Sequence, residues 1–327
     1  MTVLVTGAAG FLGGHIVQGL EQSGRSVRGL DLAFPLSIKF ETFTGSVLDP
    51  DLIGKAMRGV SGVVHAAAIS QLWTPGRFDY DRVNVVGTCR VLAAARRVGV
   101  PTGRVSSYTT MIGRDTSPGD TVDETSEITP NRLLGRYPRS KRQAELVAMS
   151  AAETGQSVSI VCPTAPLGRG DHNFTPPTAM IRDLVCGRLP ALLDCTLNLV
   201  DAEAIAAATV AALDRGRSGQ RYLLAGEDIR LSDLASEISA LSGRPAPKHR
   251  VPLIVALAAA RVEAAVARVT KRPPKAPLTG VRLAARPVGF DTSIARAELG
   301  FAPRAVRELL PEVVDWISAV EGGSGQP

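Results

Sequence analysis

A glycine-rich turn near the start of the chain constrains the fold more than any other feature. The run Thr2-Val-Leu-Val-Thr6 is short, apolar and β-branched, which predicts a buried strand. Gly7, Gly10 and Gly13 follow it directly, and helical spacing begins at His15. Glycines at these positions allow a tight turn, close approach of backbone to a pyrophosphate, and close packing of helix on strand. The turn therefore predicts a dinucleotide site at a helix N-terminus.

Strand-like and helix-like segments alternate after this turn. Strands are predicted at 26–31, 62–68, 104–110 and 157–162, and helices at 52–59, 83–98 and 139–154. Such alternation predicts an α/β fold with a Rossmann-type, doubly wound parallel sheet. Beyond Pro163 the pattern is broken by prolines, and helices are predicted only at 199–215 and 231–242 before a final helix.

The pattern also suggests how the chain divides. Residues 1–163, with a return near 197–225, are expected to bind the dinucleotide. Residues 164–196 and 226–321 are expected to form a smaller C-terminal substrate-binding lobe, followed by a flexible tail at 322–327.

Composition excludes several classes of protein. The 327 residues carry 37 basic and 31 acidic side chains, a net charge of +6, and 45% hydrophobic residues. Residues 244–286 alone carry a net charge of +9, and the rest of the chain carries −3. A chain that is otherwise near neutral is not expected to bind nucleic acid. The basic residues could contact an anionic substrate, although solvated surface is the favoured interpretation.

Cysteine spacing and apolar runs bear on metals and membranes. Cys89, Cys162, Cys186 and Cys195 show no metal-ligand or disulfide spacing, so no metal site and a cytoplasmic location are expected. The apolar segment 251–269 is too short and too charged to span a membrane. It could cap an apolar pocket, but a core helix of the smaller lobe is the favoured interpretation.

An acid at the end of the second predicted strand bears on cofactor choice. Asp31 lies 18 residues after Gly13 and is followed by apolar residues, with no cation close behind it. A carboxylate here accepts hydrogen bonds from the adenosine ribose and repels a 2′-phosphate. We therefore predict NAD rather than NADP. Arg28, on the same strand, keeps the NADP alternative open.

A tyrosine and a lysine lie one helical turn apart at Tyr137 and Lys141. A neighbouring ammonium favours the phenolate, so the pKa of Tyr137 is expected to fall toward working pH. Such a tyrosine can exchange a proton with a substrate hydroxyl or carbonyl during hydride transfer.

With these motifs the chain resembles the extended short-chain dehydrogenases/reductases of the NAD-dependent epimerase/dehydratase group. The matching segments are 6–13, Val64-His-Ala-Ala-Ala68, Asn84-Val-Val-Gly-Thr88, Tyr137-Pro-Arg-Ser-Lys141 with Glu145, and 291–300. It is similar to hopanoid-associated sugar epimerase-like members at 72–74, 163–171 and 197–200. Dihydroflavonol reductases and 3β-hydroxysteroid dehydrogenases are close relatives of that group.

The resemblance implies which residues contact the cofactor. The implied set is Gly7, Gly10, Phe11, Leu12, Asp31, Ser46, Val47, Ala66, Ala67, Ala68, Tyr137, Lys141, Pro163 and Thr164. Within it, Lys141 would also hold the nicotinamide ribose, and Val47 would lie by the adenine. Ser46 stands where the group usually has an acid. The resemblance also implies a homodimer.

Two departures from the family pattern concern the catalytic hydroxyl and the substrate. The group places a serine or threonine at the end of the strand before the tyrosine, to position the substrate oxygen. Tyr108 takes this place in an ungapped alignment, Ser107 takes it with a shift of one residue, and Thr110 takes it with a larger shift. Thr109 is a further open alternative, and we favour Ser107. Leu197 stands where nucleotide-sugar epimerases carry a pyrophosphate-binding arginine, which weakens a nucleotide-sugar substrate.

The expected function is an NAD-dependent oxidoreductase or epimerase acting on a secondary alcohol or ketone of a small molecule. The substrate could be sugar-like or polyketide/isoprenoid-like. Tyr137, Lys141 and Ser107 are the predicted catalytic residues, and His172 is a candidate for substrate contact. The alternative is a non-catalytic or chemically diverged dinucleotide-binding protein of the same fold.

Overall fold

The computed structural model describes residues 1–76 and 79–323. Its strands, in chain order, are β1 (Thr2–Thr6), β2 (Ser26–Asp31), β3 (Glu41–Thr44), β4 (Gly62–His65), β5 (Thr102–Val105), β6 (Thr121–Val122), β7 (Val158–Pro163), β8 (Ala165–Leu167), β9 (Ala191–Leu193), β10 (Thr196–Asp201), β11 (Arg221–Leu224), β12 (Glu227–Arg230), β13 (His249–Val251) and β14 (Gly289–Phe290).

The helices are α1 (Phe11–Gln22), α2 (Pro50–Ala56), α3 (Gly87–Val98), α4 (Arg136–Glu153), α5 (Pro176–Val185), α6 (Ala202–Arg215), α7 (Leu231–Ser242), α8 (Leu253–Thr270), α9 (Leu278–Ala284), α10 (Ser293–Leu299) and α11 (Val306–Gly323). A π-helical turn at Asp81–Val86 leads into α3, and 3₁₀ turns occupy Tyr108–Thr110 and Pro130–Arg132.

A seven-stranded sheet forms the centre of the molecule. Its strand order is β11-β7-β5-β4-β1-β2-β3, and every neighbouring pair is parallel. The chain builds outward from β1 in one direction through β2 and β3, and then in the other through β4 and β5. The strand order therefore reverses between β1 and β4, where doubly wound sheets bind ligands at the carboxyl ends of their strands. The predicted Rossmann-type sheet is confirmed.

Helices cover both faces of this sheet. α1 and α6 pack on one face, where Ile16, Leu20 and Ile205 are buried against Val3 and Val5. α2, α3 and α4 cover the opposite face with other apolar clusters. Strands buried on both faces need near-continuous apolar runs, which explains the composition of β1, β4 and β7.

A second group of elements follows β7. β8, β10 and β12 form a three-stranded sheet, and α5, α7 and α11 pack beside it around a separate apolar cluster. β9 pairs with β13, which leads into α8, and α8 packs against α9. These elements lie on the carboxyl side of the central sheet, because β8 directly continues the chain beyond β7.

Several predicted boundaries were wrong. The strand predicted at 104–110 is β5, which ends at Val105, and the chain then turns into the 3₁₀ segment at 108–110. The strand predicted at 62–68 ends at His65, and 199–201 belong to β10 rather than to the following helix. β3 was not predicted, because its sequence is polar and largely exposed at the sheet edge.

The core-helix interpretation of 251–269 was also wrong. In α8 only Ala260 and Ala267 are buried, whereas Ile254 and Val269 are 82% and 84% exposed. At the C-terminus α11 continues to Gly323, so the predicted tail begins within a helix, and residues 324–327 lie outside the described residues. Within 1–76 and 79–323, no helix combines the length and apolarity needed to cross a bilayer.

Candidate active site

The glycine turn between β1 and α1 leaves space that side chains would fill. Gly7 has φ +75°, and a Cβ on it would lie 2.6 Å from the backbone nitrogen of Ala67. A Cβ on Gly13 would lie 1.8 Å from the carbonyl oxygen of Gly7. Both positions therefore require glycine, and the turn presses directly against the segment after β4.

The N-terminus of α1 is suited to an anion. Gly10 is its N-cap, no side chain caps it, and its first turn carries no acid. The first N–H groups of such a helix have no intrahelical partner. They point toward the space beside the turn, where Phe11 and Leu12 begin the helix. The backbone N–H groups of the turn can thus bind a pyrophosphate, and no charged side chain is needed for this.

Residues after β4 complete this crevice. Thr6 and His65 end neighbouring strands, and the Thr6 hydroxyl lies 2.7 Å from His65 Nδ1. His65 Nε2 contacts Thr88, so this buried histidine is fully engaged and structural. Burial, with Arg104 and Lys141 nearby, lowers its pKa well below the usual value. The predicted cofactor contacts Ala66, Ala67 and Ala68 follow at this edge.

Asp31 lies beside the glycine turn at the end of β2. Its Oδ2 accepts a hydrogen bond from the backbone nitrogen of Ala9 at 2.9 Å. Arg28 is engaged elsewhere, since it donates to Glu41 at 2.7 Å and to the carbonyl of Ala56. Arg28 is therefore not available to a ribose 2′-phosphate, whereas the Asp31 carboxylate faces the turn.

The remaining predicted cofactor contacts lie along the same sheet edge. Val47 is buried after β3 and packs close to Gly87, and Ser46 accepts a hydrogen bond from the nitrogen of Leu48. Pro163 ends β7, and the Thr164 hydroxyl lies 2.7 Å from Asn198 Oδ1. The fold thus brings residues from the ends of β1, β2, β3, β4 and β7 to one edge.

Tyr137 and Lys141 lie on the buried side of the first turns of α4. Tyr137 is 8% exposed and Lys141 is 3% exposed. The Lys141 ammonium donates to the carbonyl of Val105, at the end of β5, at 3.1 Å. Asn84 holds this arrangement by donating to Ser140 at 2.9 Å and pairing with the backbone of Ile69.

The electrostatics of this pair differ from the prediction. Burial raises the pKa of Tyr137, and the opposing influences are the Ser107 hydroxyl and the Arg104 guanidinium. Burial also lowers the pKa of Lys141 to about 7, with Arg104 adding repulsion. The expectation that Lys141 depresses the pKa of Tyr137 was wrong for this structure. A buried ammonium whose own proton is weakly held is a poor source of positive potential.

The hydroxyl-bearing side chains of residues 107–110, after β5, point in different directions. The Ser107 hydroxyl is near enough to the Tyr137 phenol to oppose the rise in its pKa, and it accepts from the Thr109 hydroxyl at 3.0 Å. Tyr108 instead packs its ring edge-on against Phe290, with centroids 5.8 Å apart. Among the alternatives left open by alignment, the structure brings Ser107 to Tyr137.

Thr110 faces away from the phenol, into a buried network around Glu145. Its hydroxyl lies 2.9 Å from Glu145 Oε1. Ser106 also donates to this carboxylate, and Arg142 approaches it at 3.3 Å. Arg221 lies 3.7 Å away. Glu145 of α4 is thus the anion that links α4 to the residues after β5 and to Arg221 of β11.

Arg104 was missed by the sequence analysis. It is 2% exposed on β5, and its Nε and Nη1 have no hydrogen-bond partner. Its charge is balanced by attraction to Glu145, although burial still lowers its pKa. The sequence signal that could have identified Arg104 is the presence of an arginine in a strand that is otherwise buried. Because it lies near Tyr137 and Lys141, it is the permanent cation of the site.

Leu197 and His172, the two positions that the sequence connects with the substrate, have apolar and aromatic neighbours. Leu197 lies in β10 and packs against the apolar cluster that includes residues of α5, α7 and α11. Asp201 pairs with Arg304 at 2.8 Å and caps α6, which is a structural role. His172 packs edge-on against Trp316 with centroids 5.5 Å apart.

Comparison with known proteins agrees with this geometry. The family model of the NAD dependent epimerase/dehydratase family matches residues 3–225. The chain belongs to this family. A Synechocystis protein named for dihydroflavonol 4-reductase is 34% identical over 95% of this chain and 93% of its own. The sterol demethylase protein B of Methylococcus capsulatus is 29% identical over 97% of this chain and 98% of its own.

A solved structure of similar sequence shares the fold. The crystal structure of gox2253 is 30% identical, covers 99% of both chains and superposes with a TM-score of 0.84. The resemblance to extended short-chain dehydrogenases/reductases is therefore confirmed, as are the enzyme class and the NAD dependence of the family.

Proposed function

We propose that this family member uses NAD to transfer hydride to or from a secondary alcohol or ketone of a small molecule. The observation that carries the proposal is that Ser107, Tyr137 and Lys141 are buried together at the end of β5, in the same sheet as the strand before the glycine turn. A buried phenol with a neighbouring hydroxyl can hold a substrate oxygen and exchange a proton with it.

The residues have separate roles in this proposal. The raised pKa of Tyr137 keeps its proton in place at neutral pH, which suits donation to a carbonyl oxygen. Ser107 holds the same oxygen, and Lys141 binds the nicotinamide ribose. Arg104 provides the lasting positive potential near the phenol. NAD, when bound, supplies the ring that carries the hydride.

The cofactor contacts proposed are those of the sheet edge. They are Gly7, Gly10, Phe11, Leu12, Asp31, Ser46, Val47, Ala66, Ala67, Ala68, Tyr137, Lys141, Pro163 and Thr164. The position of Asp31 by the turn, with Arg28 already engaged, supports NAD over NADP. Residues 1–163 with 197–225 would then form the cofactor domain, and 164–196 with 226–321 the substrate lobe.

An apolar, unphosphorylated substrate fits better than a nucleotide sugar. Leu197 supplies no cation for a pyrophosphate, and Asp201 is committed to Arg304. The ring of Tyr80 lies beside that of Tyr137, with the ring centroids 6.2 Å apart. Two relatives are named for dihydroflavonol 4-reductase and for sterol demethylase, and both names refer to ring compounds that carry no phosphate.

Ketone reduction and epimerisation differ in this proposal by their net use of cofactor. An epimerase returns the hydride to its own substrate, so its cofactor copurifies and shows no net change. A reductase consumes reduced cofactor in proportion to product. We further propose a homodimer, as the family resemblance implies, and a cytoplasmic location, as the cysteine pattern implies. A non-catalytic nucleotide-binding protein remains the alternative that the following test addresses.

The test uses Tyr137→Phe with Tyr108→Phe as its matched control. NADH oxidation is followed at the reduced-nicotinamide band with a panel of alicyclic and aryl ketones. Tyr137→Phe is expected to lower turnover by about 10² to 10⁴ while NADH still binds. Tyr108→Phe removes the same atom from a ring that packs on Phe290, so turnover should be kept. Equal turnover in wild type and Tyr137→Phe contradicts the proposed chemistry.

A further inference from the structure

An uncovered apolar stripe runs along the outer face of α8. Its exposed members are Ile254, Val255, Ala258, Ala259, Val262, Ala265, Val266 and Val269. They recur at helical spacing, so they form one continuous face. Of the twelve large apolar side chains that are exposed in the described part of the chain, five lie on this one helix. Scattered exposed apolar residues are ordinary, but a contiguous stripe marks an interaction surface.

Cations surround this stripe. Arg261 and Arg268 lie along one edge of it, and both are exposed. Arg244, Lys248, Arg250, Lys271, Arg272 and Lys275 are exposed in the flanking segments. Among the described residues, none of the ion pairs involves a basic side chain of 244–286. The segment therefore presents unneutralised positive charge around an apolar face.

The segment's acid is turned inward. Glu263 is half-buried, and its Oε2 accepts a hydrogen bond from the nitrogen of Ala276 at 3.2 Å. Arg282 of α9 has no acid among the groups that shift its pKa. Burial lowers that pKa, and repulsion from Arg114, Arg261 and Arg286 lowers it further. No carboxylate of the segment thus reaches the stripe.

We propose that α8 docks this protein onto the surface of an anionic lipid bilayer. An apolar helical face bordered by arginine is the pattern of helices that lie flat in a membrane interface. Anionic headgroups would neutralise the +9 segment, while the acyl boundary would cover the stripe. A second copy is disfavoured as the occupant, because it would bring two such segments of like charge together.

Docking would also bring the segment before Tyr137 near the bilayer. α8 packs on α9, and Thr279 of α9 contacts Gly135, two residues before Tyr137. A Cβ on Gly280 would contact Leu72, from the loop after β4. An apolar substrate could then be taken from the lipid; this last step rests on the proposed function, whereas the docking itself does not.

The test is cosedimentation of the full chain with vesicles. Phosphatidylcholine vesicles are compared with vesicles that also contain phosphatidylglycerol, at low and high salt. Wild type is expected to bind the anionic vesicles, with binding that weakens as salt screens the charge. The variant Ile254→Ser/Val262→Ser/Val269→Ser should lower binding by more than about tenfold. Its control, Val98→Ser/Leu241→Ser, removes exposed apolar groups elsewhere and should bind as wild type does.

Charge is tested separately. Arg261→Glu/Arg268→Glu should abolish the preference for phosphatidylglycerol, whereas Arg96→Glu/Arg97→Glu on α3 should not. NADH binding, measured by fluorescence, verifies that every variant is folded, and it distinguishes failure of docking from failure of the proposed function. Equal binding to both vesicle types overturns the proposal. So does a wild-type dimer that becomes monomeric in the serine variant without any vesicle binding, because a second copy then covers the stripe.

Discussion

Replacing Lys141 by methionine should stabilise the protein at neutral pH while it impairs function. Lys141 is 3% exposed, and its pKa is about 7 instead of 10.5. Because the folded chain releases this proton far more readily than the unfolded chain does, the unfolded chain binds more protons between pH 7 and pH 10.5. The free energy of unfolding therefore rises with pH across that window.

The size of the effect follows from the same values. At about 1.4 kcal/mol for each unit of pKa, the burial of this ammonium costs about 4 kcal/mol at pH 7. Methionine has a similar shape and removes that cost, but it leaves the carbonyl of Val105 without its donor. A lost hydrogen bond of this kind costs about 1 to 2 kcal/mol. We expect a net gain of about 2 to 3 kcal/mol at pH 7.

The measurement is urea unfolding of wild type and Lys141→Met without added nucleotide, from pH 6.5 to pH 10. Groups common to both proteins cancel in the difference. The advantage of Lys141→Met should shrink as pH rises and reverse near pH 10, where wild type keeps its hydrogen bond and the charge penalty has fallen to about 1 kcal/mol. Lys55→Met, on the exposed surface of α2, should show no such trend. A less stable Lys141→Met at pH 7, or a difference independent of pH, refutes the reasoning.

Other substitutions test the turn, the hydroxyl and the cofactor preference. Gly13→Ala should cost several kcal/mol in urea unfolding, because its Cβ would lie 1.8 Å from a carbonyl oxygen; Gly14→Ala has nothing within 4 Å and should change stability by no more than about 1 kcal/mol. Ser107→Ala should lower turnover by about 10² while Tyr108→Phe keeps it, and equal losses would show that another hydroxyl positions the substrate. Asp31→Asn should weaken NADH binding in fluorescence titration and improve NADPH binding; tighter binding of NADPH by wild type would contradict the predicted preference.

Local sequence patterns were sufficient where a function depends on neighbours in the chain. The glycine turn, the acid after β2 and the Tyr137–Lys141 spacing are each set within one or two elements. Strand and helix alternation likewise predicted the parallel sheet, because apolar periodicity and glycine breaks are local. Predictions failed at β3, whose edge position leaves it polar, and at 104–110, where the chain leaves the sheet after Val105.

The direction of side chains after β5 could not be obtained from alignment. A shift of one residue interchanges Ser107 and Tyr108, and their different directions follow from the 3₁₀ turn that Ser107 caps. The pKa shifts of Tyr137 and Lys141 also could not be predicted without the tertiary structure. Arg104 influences Tyr137 only because β5 and α4 are packed together, and burial rather than spacing sets the pKa of Lys141.

The sequence by itself determined that this chain builds a dinucleotide-binding sheet with a tyrosine–lysine pair, since those features lie in short, contiguous patterns. Only the tertiary structure decided which hydroxyl reaches the tyrosine, which cation remains charged beside it, and whether α8 is covered. The apolar composition of α8 was plain from the start, but whether another element lies over a helix depends on packing between distant segments. That packing leaves Ile254 and Val269 exposed among unpaired cations.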